Sequence, residues 1–193
     1  VGSGRTELAL TLFGITPATE GQIFVNGQQE VIDTPRRARD LGIAYIPEDR
    51  GLQGLVKPQS IRENIAHSIL DRISRLAFVD RRKERSLAGQ GIARFSIKAR
   101  GPEQVAGTLS GGNQQKVVLA KWLGTEPNIL IMDEPTRGID VGAKSEIYAL
   151  MGRLAQQGMA IIMISSELPE VLGMSDRILV MSDGRLEIGR AHV

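Results

Sequence analysis

The sequence has 193 residues, enough for one core with a small appended part; 41% of it is hydrophobic and 24% charged, an ordinary globular balance. Net charge is only +2 and cysteine is absent, which excludes a disulfide framework and a thiolate metal site. Apolar runs such as Ala160 to Ile164 are far too short to cross a bilayer as helices.

The chain opens in a Gly-rich loop at Val1–Thr6, and residues 4–14 read as a helix with Leu8, Leu12 and Phe13 on one face. Gly14 and Pro17 end it. Gln22 to Val25 is a strand entering an Asn26-Gly27 hairpin turn. Thr34-Pro35 starts a helix, as N-cap and first-turn proline, and Gly42 closes it. Ile43 to Ile46 is a further strand. Residues 58 to about 100 are Arg-rich with helically spaced Ile and Leu, and read as an inserted helical part. Residues 50–100 carry twelve of the 24 basic and four of the 22 acidic side chains. A solvated helical face accounts for this better than a nucleic-acid surface, because Phe78 and Phe95 are the only aromatics there for base stacking.

From Asn113 the pattern becomes α/β. A helix to Leu123 stops at Gly124 and Pro127. The strand Ile129 to Asp133 follows. A helix with Ile147, Leu150, Met151 and Leu154 on one face ends at Gly158. The strand Ala160 to Ser165 lacks alternation, as a strand buried on both faces would. A short helix near Leu168 to Leu172 leads to a strand over Arg177 to Met181, and Asp183-Gly184 turns it into a last hairpin. Strand–helix alternation implies a mostly parallel sheet with helices on both faces. The closing residues Gly189–Val193 show no structural signal, and the two histidines, His67 and His192, are expected at the surface.

Two runs carry chemistry. Leu109-Ser110-Gly111-Gly112-Asn113-Gln114-Gln115-Lys116 reads as a loop opening a helix, where glycines admit close approach and free N–H groups face an anion. Asn128 to Pro135 reads as a buried strand ending in two carboxylates, Asp133 and Glu134, placed to hold magnesium and polarise water. A third segment, Val1-Gly2-Ser3-Gly4-Arg5-Thr6, matches the last six positions of G-x-x-x-x-G-K-[ST], with Arg5 in the lysine's place. Taken alone, Gly-Ser-Gly is a plain turn and the acidic pair a turn cap; together the runs suit nucleotide phosphates.

These motifs resemble the signature loop, Walker B strand and phosphate loop of ATP-binding cassette (ABC) ATPases, over nearly the whole chain. Within that family they resemble the second cassette of sugar importers with two fused cassettes. The resemblance implies a P-loop NTPase core (α/β, mostly parallel sheet), a small antiparallel β part at 21–46 and a helical insert at 58–108. Together these make one nucleotide-binding domain over 1–193, whose leading strand and first cassette precede it. It implies ATP bound by Gly2, Ser3, Gly4, Arg5 and Thr6, Mg2+ held by Thr6 and Asp133, and Glu134 as general base. It further implies that Ser110, Gly111, Gly112 and Gln114 act in trans on the partner cassette's nucleotide. Glu48 falls at the glutamine of the Q-loop, Asp140 in the D-loop and Ser166 at the switch histidine. Arg5, Glu48 and Ser166 all depart from the family pattern. Arginine is a planar fork where a compact ammonium belongs, glutamate cannot donate, and serine cannot titrate near neutrality.

The implied partners are the first cassette of the same polypeptide, transmembrane permease subunits and, indirectly, a periplasmic or extracellular sugar-binding protein. No nucleic acid is expected, and the implied location is peripheral, on the cytoplasmic face of the membrane. The other readings are a soluble ABC ATPase of nucleic-acid or translation processes, and a non-hydrolytic pseudo-ATPase partner.

Overall fold

A computed structural model describes residues 2–75 and 78–192; Val1 and Val193, named above, lie outside them. Helix α1 (Arg5–Leu12) follows the opening loop. Strands β1 (Ile23–Val25) and β2 (Gln28–Glu30) form an antiparallel hairpin, with Asn26 and Gly27 both at positive φ (52° and 79°) as its tight turn requires. Helix α2 (Pro35–Asp40) starts as expected: Thr34 is the N-cap and its hydroxyl accepts from the Arg37 N–H. Strand β3 (Ile43–Ile46) belongs to the central sheet and pairs parallel with a later strand, so it does not extend the antiparallel part assigned to 21–46.

The inserted part contains α3 (Ile61–Ala66), α4 (Leu70–Ile73), β4 (Ser74–Arg75), β5 (Phe78–Val79) and α5 (Arg81–Arg94). Ser60 and Glu63 form a reciprocal capping box at the start of α3. A small β4–β5 hairpin interrupts the helices. Part of the excess of basic residues is paired with carboxylates. Buried Arg62 pairs with buried Glu84 and with Glu103, Arg85 pairs with Glu103, and Arg72 with Glu126. Residues 101–108 are laced to 57–62 by four backbone hydrogen bonds: Ile61 N–H to Gln104, Arg62 N–H to Pro102, Ala106 N–H to Gln59 and Gly107 N–H to Lys57, each at 2.9 Å.

Helix α6 (Gly111–Leu123) starts two residues earlier than the sequence indicated, with Ser110 as N-cap, so both signature glycines lie in its first turn. Strand β6 (Ile129–Asp133) leads to α7 (Val141–Gln156), β7 (Ala160–Ile164), α8 (Leu168–Met174), and the hairpin of β8 (Arg177–Ser182) with β9 (Arg185–His192). Residues Gly189–His192, without signal in the sequence, belong to β9: Gly189, Ala191 and His192 pair with β8, and Arg190 falls at a register shift.

The three-stranded sheet runs β3–β6–β7, all parallel. Alternate residues feed two cores, as the period of two dictates. Ala44, Ile46, Leu130 and Met132 pack with Val117, Val118 and Leu119 of α6 and Ile147 and Leu150 of α7. Ile43, Tyr45 and Ile131 pack on the other face with Ala9 and Phe13 near α1 and Ala38 of α2. Each large side chain buried this way contributes about 1.5–3 kcal/mol. Strand β7 departs from the reading of burial on both faces: Ile162 is 42% exposed. Among the described residues β7 is an edge strand with β6 as its one neighbour, which explains an apolar run that is only half covered. His67 also departs from expectation. It is half-buried, and desolvation, followed by the charge of Lys121, pushes its imidazole below the ordinary range. The side chain of His192 lies outside the described residues.

Candidate phosphate and metal site

The opening loop turns through two glycines at positive φ, Gly2 (88°) and Gly4 (85°), and Gly4 caps α1 in the left-handed region. A Cβ on Gly4 would stand 2.8 Å from the Cα of Gly184, in the β8–β9 turn, and the Gly184 N–H donates to Ser3 O at 3.1 Å. Only glycine fits there, for both backbone and space. The loop thus leaves the N–H groups of the first α1 turn free to meet an anion.

Asp133 ends β6 beside this loop. It is 1% exposed, and its Oδ2 accepts from the Tyr45 hydroxyl at 3.3 Å. Its Oδ1 is buried without a hydrogen-bond partner. Burial raises the carboxyl above its ordinary range; the nearby Thr6 and Tyr45 hydroxyls and the Arg5 charge oppose that in part. Burial, and then the Asp133 charge, raises the Tyr45 phenol in turn. A desolvated carboxylate with an orphaned oxygen, next to a threonine hydroxyl, is a hard-oxygen pair that fits a small divalent cation. Among the described residues no group of three or more His, Cys, Asp or Glu gathers around a metal position. Such a cation would therefore take its remaining ligands from phosphate and water.

Glu134 follows in a left-handed turn (φ 46°), its N–H donating to Ile164 O at 2.8 Å. That bond ties the end of β6 to the end of β7. Thr136 is buried and donates to Glu170 Oε1 at 3.0 Å, and the Ser165 hydroxyl donates to Glu170 Oε2. Glu170 thereby anchors the loop that carries Ser166, which is itself exposed.

Arg5 Nε donates to Ser3 Oγ and its Nη1 to Ser165 O, each at 2.8 Å. A guanidinium thus extends past the loop to the end of β7, where a carbonyl accepts it. The structure thus brings together Gly2–Thr6, Asp133, and the Ser165–Ser166 loop.

The other motif residues gather around a second centre. Ser110 caps α6 by backbone geometry alone, and its hydroxyl accepts from Asn113 Nδ2 at 2.8 Å. Gln114 Nε2 donates to Leu109 O at 3.0 Å, so this amide is spent within its own loop. A Cβ on Gly112 would stand 2.6 Å from the Ala143 Cβ on α7, and one on Gly111 2.6 Å from Arg50 Nη2. Asp140 caps α7, accepting from the Ala143 N–H at 2.9 Å. Glu48 forms an ion pair with Arg137. Among the described residues, Ser110–Gln114 meets Arg50, Ala143 and, through Asn113 Oδ1, the Lys98 N–H at 2.8 Å, and makes no hydrogen bond to Gly2–Thr6.

Tyr45 and Arg50, which lie in the Q-loop run Tyr45–Arg50, and Thr136, which follows the Walker B acids, were given no role of their own from the sequence, and Glu170 and Arg137 lay outside the quoted motifs. Tyr45, a lone hydroxyl in a buried strand, carried the one readable signal; the others matter through partners far away in the chain.

Residues 1–137 match the family model described as ABC transporter. The ribose import ATP-binding protein RbsA of Halalkalibacterium halodurans is 53% identical over 186 residues, which is 96% of this chain and 37% of that protein. A putative ribose/galactose/methyl galactoside import ATP-binding protein of Agrobacterium fabrum is 50% identical over 185 residues, again 96% and 37%. The chain thus spans about 37% of the length of these curated relatives. Among solved structures, a nucleotide-free ATP-binding cassette from an ABC transporter aligns with TM-score 0.83 at 22% identity, over 99% of this chain and 77% of that one. A dimeric cassette in a post-hydrolysis state with ADP and phosphate aligns with TM-score 0.79 at 20% identity, over 97% and 80%. The fold is that of these cassettes, and the chain belongs to the ABC transporter family.

Proposed function

We propose that this ABC cassette is the second of two in the ATP-binding subunit of a carbohydrate importer, that it binds Mg·ATP at its own phosphate loop, and that it donates its signature loop to the partner cassette. The observation that carries the reading is the division of the motif residues into two centres. Gly2–Thr6 and Asp133 make one half-site, Ser110–Gly112 another, and their contacts do not overlap. A chain carrying two unlike half-sites needs a second cassette to complete either. Relatives named as ribose or galactose import proteins, more than twice this chain's length, support both the second cassette and the sugar cargo.

In this reading the α1 N-terminus binds phosphate, and Thr6 and Asp133 hold the cation. The cation supplies charge neutralisation at the phosphate oxygens. Glu134 orients the attacking water and takes its proton at the carboxylate. Arg5, spent on Ser3 and Ser165, leaves this half slow in hydrolysis, so that the partner site, completed by Ser110–Gly112, does most of the turnover. The permease subunits and first cassette are the direct partners, at the cytoplasmic membrane face; a sugar-binding protein acts through the permease. Arg62, Arg72 and Arg85 are paired with carboxylates, which reduces the positive charge on offer to a nucleic acid.

Ser110→Arg in the complete polypeptide tests this. Ser110 is exposed, so the change disturbs little within the chain. Hydrolysis and transport are expected to be lost although Gly2–Thr6 is untouched; transport at the wild-type rate would overturn the trans arrangement.

A further inference from the structure

Three separate segments meet at one side chain, Arg50. It opens a π-helical turn (Arg50–Gly54) two residues after Glu48, and Asp49 fixes that turn by accepting from the N–H groups of Gly51 and Leu52 at 2.9 and 3.0 Å. Arg50 Nη1 donates to Arg137 O at 2.8 Å, and Nη2 to Gly138 O at 3.2 Å. The same Nη2 lies against Gly111, where a Cβ would approach it to 2.6 Å and Gly138 O to 3.3 Å. Arg50 Nε is buried without a partner, so the two Nη contacts and the surrounding packing hold the group. The Glu48–Arg137 ion pair fastens the same two loops at a second point.

The chemistry of this junction calls for arginine. The two successive carbonyls are met by two donors on separate nitrogens of one planar fork, a spread that a guanidinium supplies and a compact ammonium, with its three donors on one atom, does not. The close approach also needs Gly111, because any side chain there would displace the fork. The guanidinium therefore fixes the start of α6, through Gly111, relative to the Gly138–Asp140 segment that opens α7.

We propose that Arg50 is a positioning residue: it sets the register between Ser110–Gly112 and Gly138–Asp140, and so shapes the surface this cassette offers to its partner's nucleotide. The proposal rests on the two-cassette reading above. A misplacement of about 1 Å at such a surface lowers turnover by about 100-fold where geometry limits the chemistry.

The test uses the complete two-cassette polypeptide with its permease. Arg50→Met keeps the stem and removes the fork; Arg50→Lys keeps the charge. Both are expected to lower kcat about tenfold or more with KM for ATP within about twofold, the split of an interaction made in the transition state. Both are also expected to speed amide hydrogen exchange over residues 109–114 and 134–142. Wild-type kcat in a folded Met or Lys variant overturns the proposal, and so does unchanged exchange in both segments. If Arg50→Met fails to fold, by circular dichroism, the Lys variant decides. A wild-type polypeptide that neither binds nor hydrolyses ATP sinks the functional reading instead, and the exchange comparison still decides whether Arg50 sets the two loops.

Discussion

The guanidinium of Arg5 donates from Nη1 to the carbonyl of Ser165 at 2.8 Å, joining the phosphate loop to the end of β7 across 160 residues of sequence. Ser165 is in turn fixed by Glu170, which also accepts from Thr136. Arginine at this position thus acts as a brace between the phosphate loop and the loop holding Ser166.

Replacing the brace gives the first prediction. Arg5→Lys substitutes a shorter-reaching point charge that lies under phosphate and leaves Ser165 O unpaired. Single-turnover hydrolysis at this half is expected to rise several-fold, while exchange of the amides of residues 165–167 speeds up. Unchanged hydrolysis would show that Arg5 is not what slows the site.

Asp133 gives a pH dependence. Its folded carboxyl titrates above the ordinary value of 3.8 because it is buried. The folded state then holds more protons than the unfolded state through this window, so the contribution of this group to stability falls as pH rises above about 4. Asp133→Asn is expected to melt higher than the wild type at pH 7 in EDTA, and to lose the added stabilisation by Mg·ATP. Equal melting temperatures for the two proteins at pH 7, with equal response to Mg·ATP, would contradict this.

Packing at the start of α6 gives a third. Gly112→Ala places a methyl 2.6 Å from the Ala143 Cβ, and overpacking of this kind costs about 1–3 kcal/mol. A second change, Ala143→Gly, is expected to restore most of that loss apart from about 1 kcal/mol of helix propensity. Urea midpoints of the two single variants and the double variant close the cycle; additive losses would mean that the two residues do not meet.

The buried pair in the insert gives a fourth. The side chains of Arg62 and Glu84 are 9% and 6% exposed. Glu84→Ala leaves Arg62 with the half-exposed Glu103 and, at 4.0 Å, Glu63, and removing one partner of a buried pair costs about 3–5 kcal/mol. The lower end is expected here, since Glu103 remains. Urea unfolding checks it; a loss below about 1 kcal/mol would place the pair among ordinary surface bridges.

Where chemistry is local, the sequence was readable. Asn26-Gly27 and Asp183-Gly184 form the tight turns their residue types require, and Thr34-Pro35 starts its helix. The run before Asp133 is a buried strand, because an apolar stretch closed by acids and Pro has few other uses. What was not readable depends on distance. The partner of Glu48 is 89 residues away and that of Arg5 is 160 residues away, and nothing in either local pattern announces them. Strand β7 misled because composition reports what a strand is able to bury, and its neighbours decide what it does bury.

The lacing of residues 101–108 onto 57–62 has a mechanical consequence. Four backbone bonds, with the Arg62 side chain clasping Glu103 alongside them, tie the segment following Arg50 to the segment leading into Ser110. A push delivered to the surface near Lys57 is therefore expected to reach the signature helix as displacement rather than to be absorbed as local bending.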